Sequence, residues 1–195
     1  LRSLGIMNDY CNGIAYATGY FANEENKRYL IVRNLDKWYV ENIAKETGYN
    51  AYESKHNFKR DGKNQWVVKC RNISEIPELS EIKNLVDFFR AYIEIHGVLD
   101  LANAKDRKGN PIKRLRLRIY GNEDILSFIN KEIPAKEKKI QYIKNSIDEK
   151  YIGQTCALYY QSRAEILEIL KWIDGSPKNV SIWNKWENTL QGIHL

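Results

Sequence analysis

The sequence predicts an α/β protein of the α+β kind, made of two pseudo-symmetric αββαββα repeats. Two apolar helical stretches, Asn12-Gly-Ile-Ala-Tyr-Ala-Thr-Gly19 and Arg90-Ala-Tyr-Ile-Glu-Ile-His-Gly97, lie about eighty residues apart. Each ends in Gly, the residue that tolerates a left-handed conformation at a helix C-terminus. Each is followed by a similar succession of segments, as an internal duplication would produce. Residue matches agree: Val68-Lys-Cys-Arg-Asn-Ile-Ser-Glu-Ile76 lines up without gaps on Leu158-Tyr-Tyr-Gln-Ser-Arg-Ala-Glu-Ile166, with Glu75/Glu165 and Ile76/Ile166 identical.

In chain order, Met7 to Thr18 carries Tyr10, Gly13, Ile14 and Ala17 at helical spacing, with Asn8 or Asp9 as N-cap. Strands over 20–23 and 28–33 flank the polar turn Glu24 to Lys27. Leu35 to Thr47 reads as an amphipathic helix capped by Asn34 and ended by Gly48. A second hairpin spans Tyr49 to Phe58, a turn at Arg60 to Lys63, and Gln65 to Arg71. The segment from Ile73 to Asn84, helical in parts and interrupted by Pro77, joins the halves.

The second half repeats the order. Asn84 to His96 is a helix, Val98 to Ala104 and Ile112 to Tyr120 form a hairpin, and Asn122 caps a helix to Glu132. Strands near 138–144 and 154–160 precede a helix from Arg163 to Ile173, and a tail helix over 181–190 carries Trp183 and Trp186. The expected division is residues 1–72 for the first repeat, 73–83 for the linker, 84–175 for the second repeat and 176–195 for the tail helix.

At 195 residues the chain can bury a core without disulfide or metal staples. Hydrophobic content of 43% with 29% charged residues argues against global disorder. Cys11, Cys70 and Cys156 are odd in number and show no metal-ligand spacing, which points to a reducing, intracellular setting. No signal-peptide pattern and no run of about 18 apolar residues is present, so no membrane partner is expected. The first residue is Leu rather than Met, and the expectation is of a trimmed chain. The net charge of +6 favours a polyanionic partner.

The two Gly-ended stretches align with the motif of the two-repeat, single-chain LAGLIDADG homing endonucleases, and the chain resembles that family over most of its length. The segment from Ile166 to Asp174 looks like the last helix of phage and bacterial members. The resemblance implies that the two motif helices pack side by side through small residues. Gly13 and Ala17 keep those positions in the first helix and Ala91 keeps one in the second, where Ile95 puts bulk at the other. It also implies that each half lays a curved antiparallel sheet over the DNA major groove, the two together forming a saddle.

In that family the acidic residue just before each motif Gly holds divalent metal ions at the scissile phosphate. Magnesium needs hard, negatively charged oxygen ligands. Here the two positions are Thr18 and His96. A hydroxyl is a weak neutral ligand and an imidazole suits zinc or copper better. Glu94 lies two residues from His96 and so about 200° around the helix. Asp100, on the following strand, is the nearby carboxylate to which the function could have moved. No metal, no cofactor and no catalytic residue is therefore expected.

Charge patterning marks the binding surface. In Arg114-Leu-Arg-Leu-Arg-Ile119, alternation puts Arg114, Arg116 and Arg118 on one face and the apolar residues on the other. Three guanidiniums in a row repel one another unless an anion lies across them, and Arg reads guanine edges through its bidentate fork. Lys105, Arg107 and Lys108 in the adjoining turn are placed for phosphates. In the first half Gln65, Lys69 and Arg71 share a strand face. Lys55, Lys59, Arg60 and Lys63 surround that hairpin's turn, and Lys27, Arg28 and Arg33 surround the other. Tyr49, Tyr52, Tyr142, Tyr159 and Tyr160 are further candidates for this surface.

These observations lead us to expect a monomeric, cytoplasmic, nucleoid-associated protein that binds double-stranded DNA with sequence preference, has lost its metal site and regulates transcription. Nuclease-dead relatives that regulate sporulation give a precedent. Two alternatives stand beside it: an active magnesium-dependent homing endonuclease with displaced acids, and an RNA-binding intron maturase.

Overall fold

In the computed structural model, which describes residues 7–54, 64–143 and 155–192, Asn8 begins the first helix, α1 (Asp9–Thr18). The Asn8 side chain accepts a hydrogen bond from the Cys11 N–H at 2.9 Å, satisfying one of the donors a helix start leaves open. The helix then passes directly into strand β1 (Gly19–Glu24) with no loop between them. Gly19 is extended, with φ −90°, and Gly97 shows no positive φ either, so neither glycine is a left-handed cap as expected. At Gly19 the reason for glycine is space: a Cβ there would stand 2.6 Å from the Ala15 carbonyl oxygen.

Strand β1 pairs antiparallel with β2 (Lys27–Asn34) through a two-residue turn, Glu25 and Asn26, both at positive φ. This is the doubly left-handed turn whose twist matches that of the flanking strands. Helix α2 (Lys37–Thr47) follows, and its cap is Asp36, whose carboxylate accepts from the Trp38 N–H. Asn34, expected as the cap, instead accepts from the Asp36 N–H and fixes the turn into the helix. Gly48, at φ 75°, ends the helix in the left-handed conformation. Strands β3 (Tyr52–Glu53) and β4 (Trp66–Cys70) complete a sheet of order β1-β2-β4-β3.

The first core lies between one face of this sheet and helices α1 and α2. Ile14, Leu30, Val32, Val40, Ile43 and Val68 are all fully buried there. At roughly 1.5–3 kcal/mol for each such side chain, packing outweighs the poor helix propensity of the Asn12-Gly13 pair in α1. The expected closing helix of the first half reduces to a 3-10 turn, Leu79–Glu81, started by a capping box between Glu78 and Glu81.

Helix α3 (Leu85–His96) carries the second motif, and all but its last residue belongs to the same compact unit as α1, residues 1–95. The Asp9 carboxylate accepts from the Lys83 and Asn84 N–H groups, so the first residue of α1 also anchors the start of α3.

The second unit, residues 96–195, begins with β5 (Gly97–Lys105), β6 (Pro111–Gly121), α4 (Glu123–Glu132), β7 (Gln141–Tyr142) and β8 (Cys156–Tyr160). Its sheet order is β5-β6-β8-β7, the same as in the first unit. Gly19 pairs with Val32 and Gly97 with Ile119, so each hairpin starts in register on its motif glycine. Cys70 pairs with Leu30 and Tyr160 with Leu117, which matches the gapless alignment of the two segments. Helices α4 and α5 (Arg163–Ile173) cover the inner face. The tail helix α6 (Val180–Gln191) packs on β5, with Trp183 and Trp186 buried and their ring centroids 5.2 Å apart in a tilted contact. All three cysteines are buried and free, and burial pushes the Cys11 thiol up to about 12. No helix among the described residues is long and apolar enough to cross a membrane.

Candidate nucleic-acid interface

Each sheet has one face on its core and one outer face, because side chains alternate along a strand. On β6 the alternation is as expected: Leu115, Leu117 and Ile119 are buried, and Arg114, Arg116 and Arg118 point to the outer face. Their cross-strand partners on β5 are Ala102, Asp100 and Val98. Asp100 changes the electrostatics of the row. Its Oδ1 accepts from Arg116 Nε at 2.9 Å, and its Oδ2 accepts from Arg116 Nη2 at 2.9 Å and from Arg118 Nη2 at 2.6 Å. The anion that the arginine row required is therefore in part internal. The hydrogen bond from Arg116, helped by the charge of Arg118, holds the Asp100 carboxyl below its usual range.

Arg118 lies 5.8 Å over the Tyr120 ring, and Tyr159 stands opposite it on β8. Arg114 is exposed and has no ion pair among the described residues. It borders a shallow depression of about 190 Å³ lined also by Ala102, Ala104, Arg116 and Gln161. The hairpin tip beyond is well formed. Asp106 accepts from the Lys108 and Asn110 N–H groups, Gly109 takes φ 87°, and Lys105, Arg107 and Lys108 are exposed around it. Those contacts to Asn110 and Lys108 also lower the Asp106 carboxyl.

On the first sheet the outer side of the strands carries Lys27, Arg33 and Lys69 with Tyr20, Tyr29, Tyr52 and Glu24, beside the buried Ile31 and Val67, and Gln65 lies just before β4. Lys69 is paired with Glu24 at 2.7 Å, and Arg33 lies 5.8 Å over the Tyr20 ring. Arg28 departs from the expectation. It shares its strand side with Leu30 and Val32, which face the core, and lies 4.3 Å over the Phe21 ring. Arg71 is exposed just beyond β4. Lys55, Lys59, Arg60 and Lys63 lie outside the described residues. Among the tyrosines, Tyr52 and Tyr159 reach the outer faces, Tyr160 is in the core, Tyr49 packs against the first core, and Tyr142 sits on the inner side of β7.

The motif helices meet where small residues were expected. A Cβ at Gly13 would stand 2.3 Å from the Phe88 carbonyl oxygen and 2.9 Å from the Ala91 Cβ. Ile95 packs against the first core. Thr18, at the first acid position, donates its hydroxyl back to the Ile14 carbonyl at 3.3 Å, and Ala17 beside it is half-buried. Glu94 is buried, and its carboxylate accepts from the Tyr10 hydroxyl at 2.6 Å, which in turn accepts from Trp38 Nε1. His96, half-buried, ends α3. Among the described residues no three His, Cys, Asp or Glu side chains gather as a metal-binding group.

Sequence reasoning missed two contributors. The exposed Tyr20 and the pairing of Asp100 both follow from strand register, and alternation from Gly19 and Gly97 was the available signal.

The solved structures that this fold matches include the LAGLIDADG homing endonuclease I-LtrWI bound to target DNA, with a TM-score of 0.65 and 11% identity over 95% of this chain and 90% of that one. The LAGLIDADG meganuclease I-AabMI bound to uncleaved DNA gives 0.65 and 9% identity, over 97% and 94% of the two chains. Meganuclease I-SmaMI bound to uncleaveable DNA gives 0.63 and 10% identity, over 94% and 89%. No family model matches the chain, and no curated protein does. The likeness is one of fold: the chain has the LAGLIDADG homing endonuclease fold.

Proposed function

We propose that this protein binds double-stranded DNA with sequence preference through the outer faces of its two sheets, without cutting it, and serves as a monomeric, cytoplasmic transcriptional regulator. The observation that carries the reading is the row of Arg114, Arg116 and Arg118 on the outer face of β6, flanked by the basic tip at Lys105, Arg107 and Lys108. A two-stranded antiparallel ribbon fits the major groove, where Arg is the commonest reader of guanine and the tip cations suit phosphates. The structures of similar fold supply the analogy, since I-LtrWI is bound to target DNA and I-AabMI to uncleaved DNA.

Loss of cleavage is supported by Thr18 and His96 at the two acid positions and by the engagement of Asp100 with two arginines. The test is selection of bound fragments from random duplex DNA, run with and without magnesium. The expected outcome is the same enriched, uncut sequence in both arms. Magnesium-dependent cutting of the enriched sequence would restore the nuclease reading, and the absence of any enrichment would remove the DNA reading.

A further inference from the structure

We infer that Asp100 determines specificity in the proposed duplex interface: it positions Arg116 and Arg118, deciding which guanidinium edges face outward and how much free charge this sheet offers. The inference rests on the DNA-binding reading above and adds a division of labour along one strand.

The geometry gives Arg116 little freedom. Its Nε and Nη2 both donate to the Asp100 carboxylate, so the Nε–Nη2 edge is consumed and only the outer Nη1 and Nη2 hydrogens remain for a ligand. Arg118 is held on two sides, by the shared Oδ2 at 2.6 Å and by the Tyr120 ring. The three side chains are 28%, 21% and 33% exposed for Arg116, Arg118 and Asp100, so they are accessible without being loose. One carboxylate against two guanidiniums leaves a single net positive charge. Arg114, opposite the small Ala102 and beside the depression, is exposed and has no ion pair among the described residues to offset its charge.

No such clamp exists at the equivalent positions of the first sheet. Counting from the paired motif glycines, Asp100 corresponds to Ala22, Arg116 to Tyr29 and Arg118 to Ile31. The carboxylate is therefore a property of the second sheet and not of the repeat.

A loose arginine binds the phosphates of any sequence, releasing counterions and steepening the salt dependence. An arginine already held in one rotamer cannot swing to the backbone, and it gives up less side-chain entropy on making a bidentate base contact. Asp100 thus trades raw affinity for discrimination, the repulsive half of a specificity device.

The experiment compares the full chain with Asp100→Asn on two duplexes, one enriched from a random pool by the unsubstituted protein and one scrambled, across a range of salt. Asp100→Asn is expected to bind the scrambled duplex about tenfold tighter, with a salt slope steeper by about one unit. Its ratio of enriched to scrambled affinity is expected to fall about tenfold. A ratio equal to that of the unsubstituted protein overturns the inference while leaving DNA binding intact. Failure of the unsubstituted protein to enrich any duplex overturns the binding reading instead, so the two failures are distinct. Asp100→Ala, read in the same way, is the second variant should Asp100→Asn fold poorly.

Discussion

The α-carbon of Gly13 faces the Phe88 carbonyl oxygen so closely that a methyl group built on it would stand only 2.3 Å away. The obstacle is backbone, which cannot rotate aside, and the Ala91 methyl blocks the next direction at 2.9 Å. Gly13→Ala would gain about 1 kcal/mol of helix propensity. Overpacking at a backbone contact costs about 1–3 kcal/mol or more, and here the larger figure applies. The net expectation is a loss of roughly 2 kcal/mol, read as a lower urea midpoint at unchanged slope. A variant as stable as the unsubstituted protein would mean that α1 and α3 do not approach at this point.

A second prediction concerns the buried chain from Trp38 Nε1 to the Tyr10 hydroxyl to the Glu94 carboxylate. Burial, reinforced by the neighbouring carboxylate, pushes the Tyr10 hydroxyl above its ordinary value, so it stays a donor throughout the accessible pH range. Tyr10→Phe removes that donor from Glu94 and removes the acceptor from Trp38. Stranding a buried polar partner costs about 1–3 kcal/mol. Chemical denaturation should register that loss, while the circular dichroism of the native state stays the same. A change below a few tenths of a kcal/mol would show that Glu94 is held well enough by its other contacts.

Much of this architecture was legible because local patterns were consistent. The alternation of Arg114 to Ile119 put the arginines on the outer face, and the gapless match of Val68 to Ile76 with Leu158 to Ile166 gave the equivalence of β4 and β8. Other details were decided by contacts that the sequence does not rank. Asn34 and Asp36 can both cap a helix, and Asp36 takes the role because the Asn34 side chain is spent on the Asp36 N–H. Gly19 and Gly97 mark helix ends, yet the crowding at Gly19 comes from the Ala15 carbonyl and not from a left-handed turn. The meeting of Asp100 with Arg116 depends on the register across the Asp106 to Asn110 turn, where a slip of one residue would bring a leucine opposite the carboxylate. Arg28, read as part of a basic turn, falls on the core side of its strand for the same reason.

The engagement of Asp100 also sets a pH dependence. Its folded pKa lies below the unfolded value near 3.9, chiefly because of the Arg116 hydrogen bond and then the Arg118 charge. A group shifted in this direction contributes stability that is present above the unfolded pKa and lost as pH falls through the folded one. With the carboxylate a third exposed, solvent screening limits the effect to about 1 kcal/mol or less. Urea denaturation of the unsubstituted protein and of Asp100→Asn should therefore diverge at neutral pH and converge as the pH falls below the ordinary carboxylate range and the Asp100 carboxyl takes up its proton. Because two guanidiniums compete for one carboxylate, added salt should narrow the neutral-pH gap by weakening the charge attraction, leaving the hydrogen bonds to account for what remains. A gap that persists undiminished into acid would show that Asn at this position disturbs β5 itself, and that the arginines draw their order from the strand and not from the carboxylate.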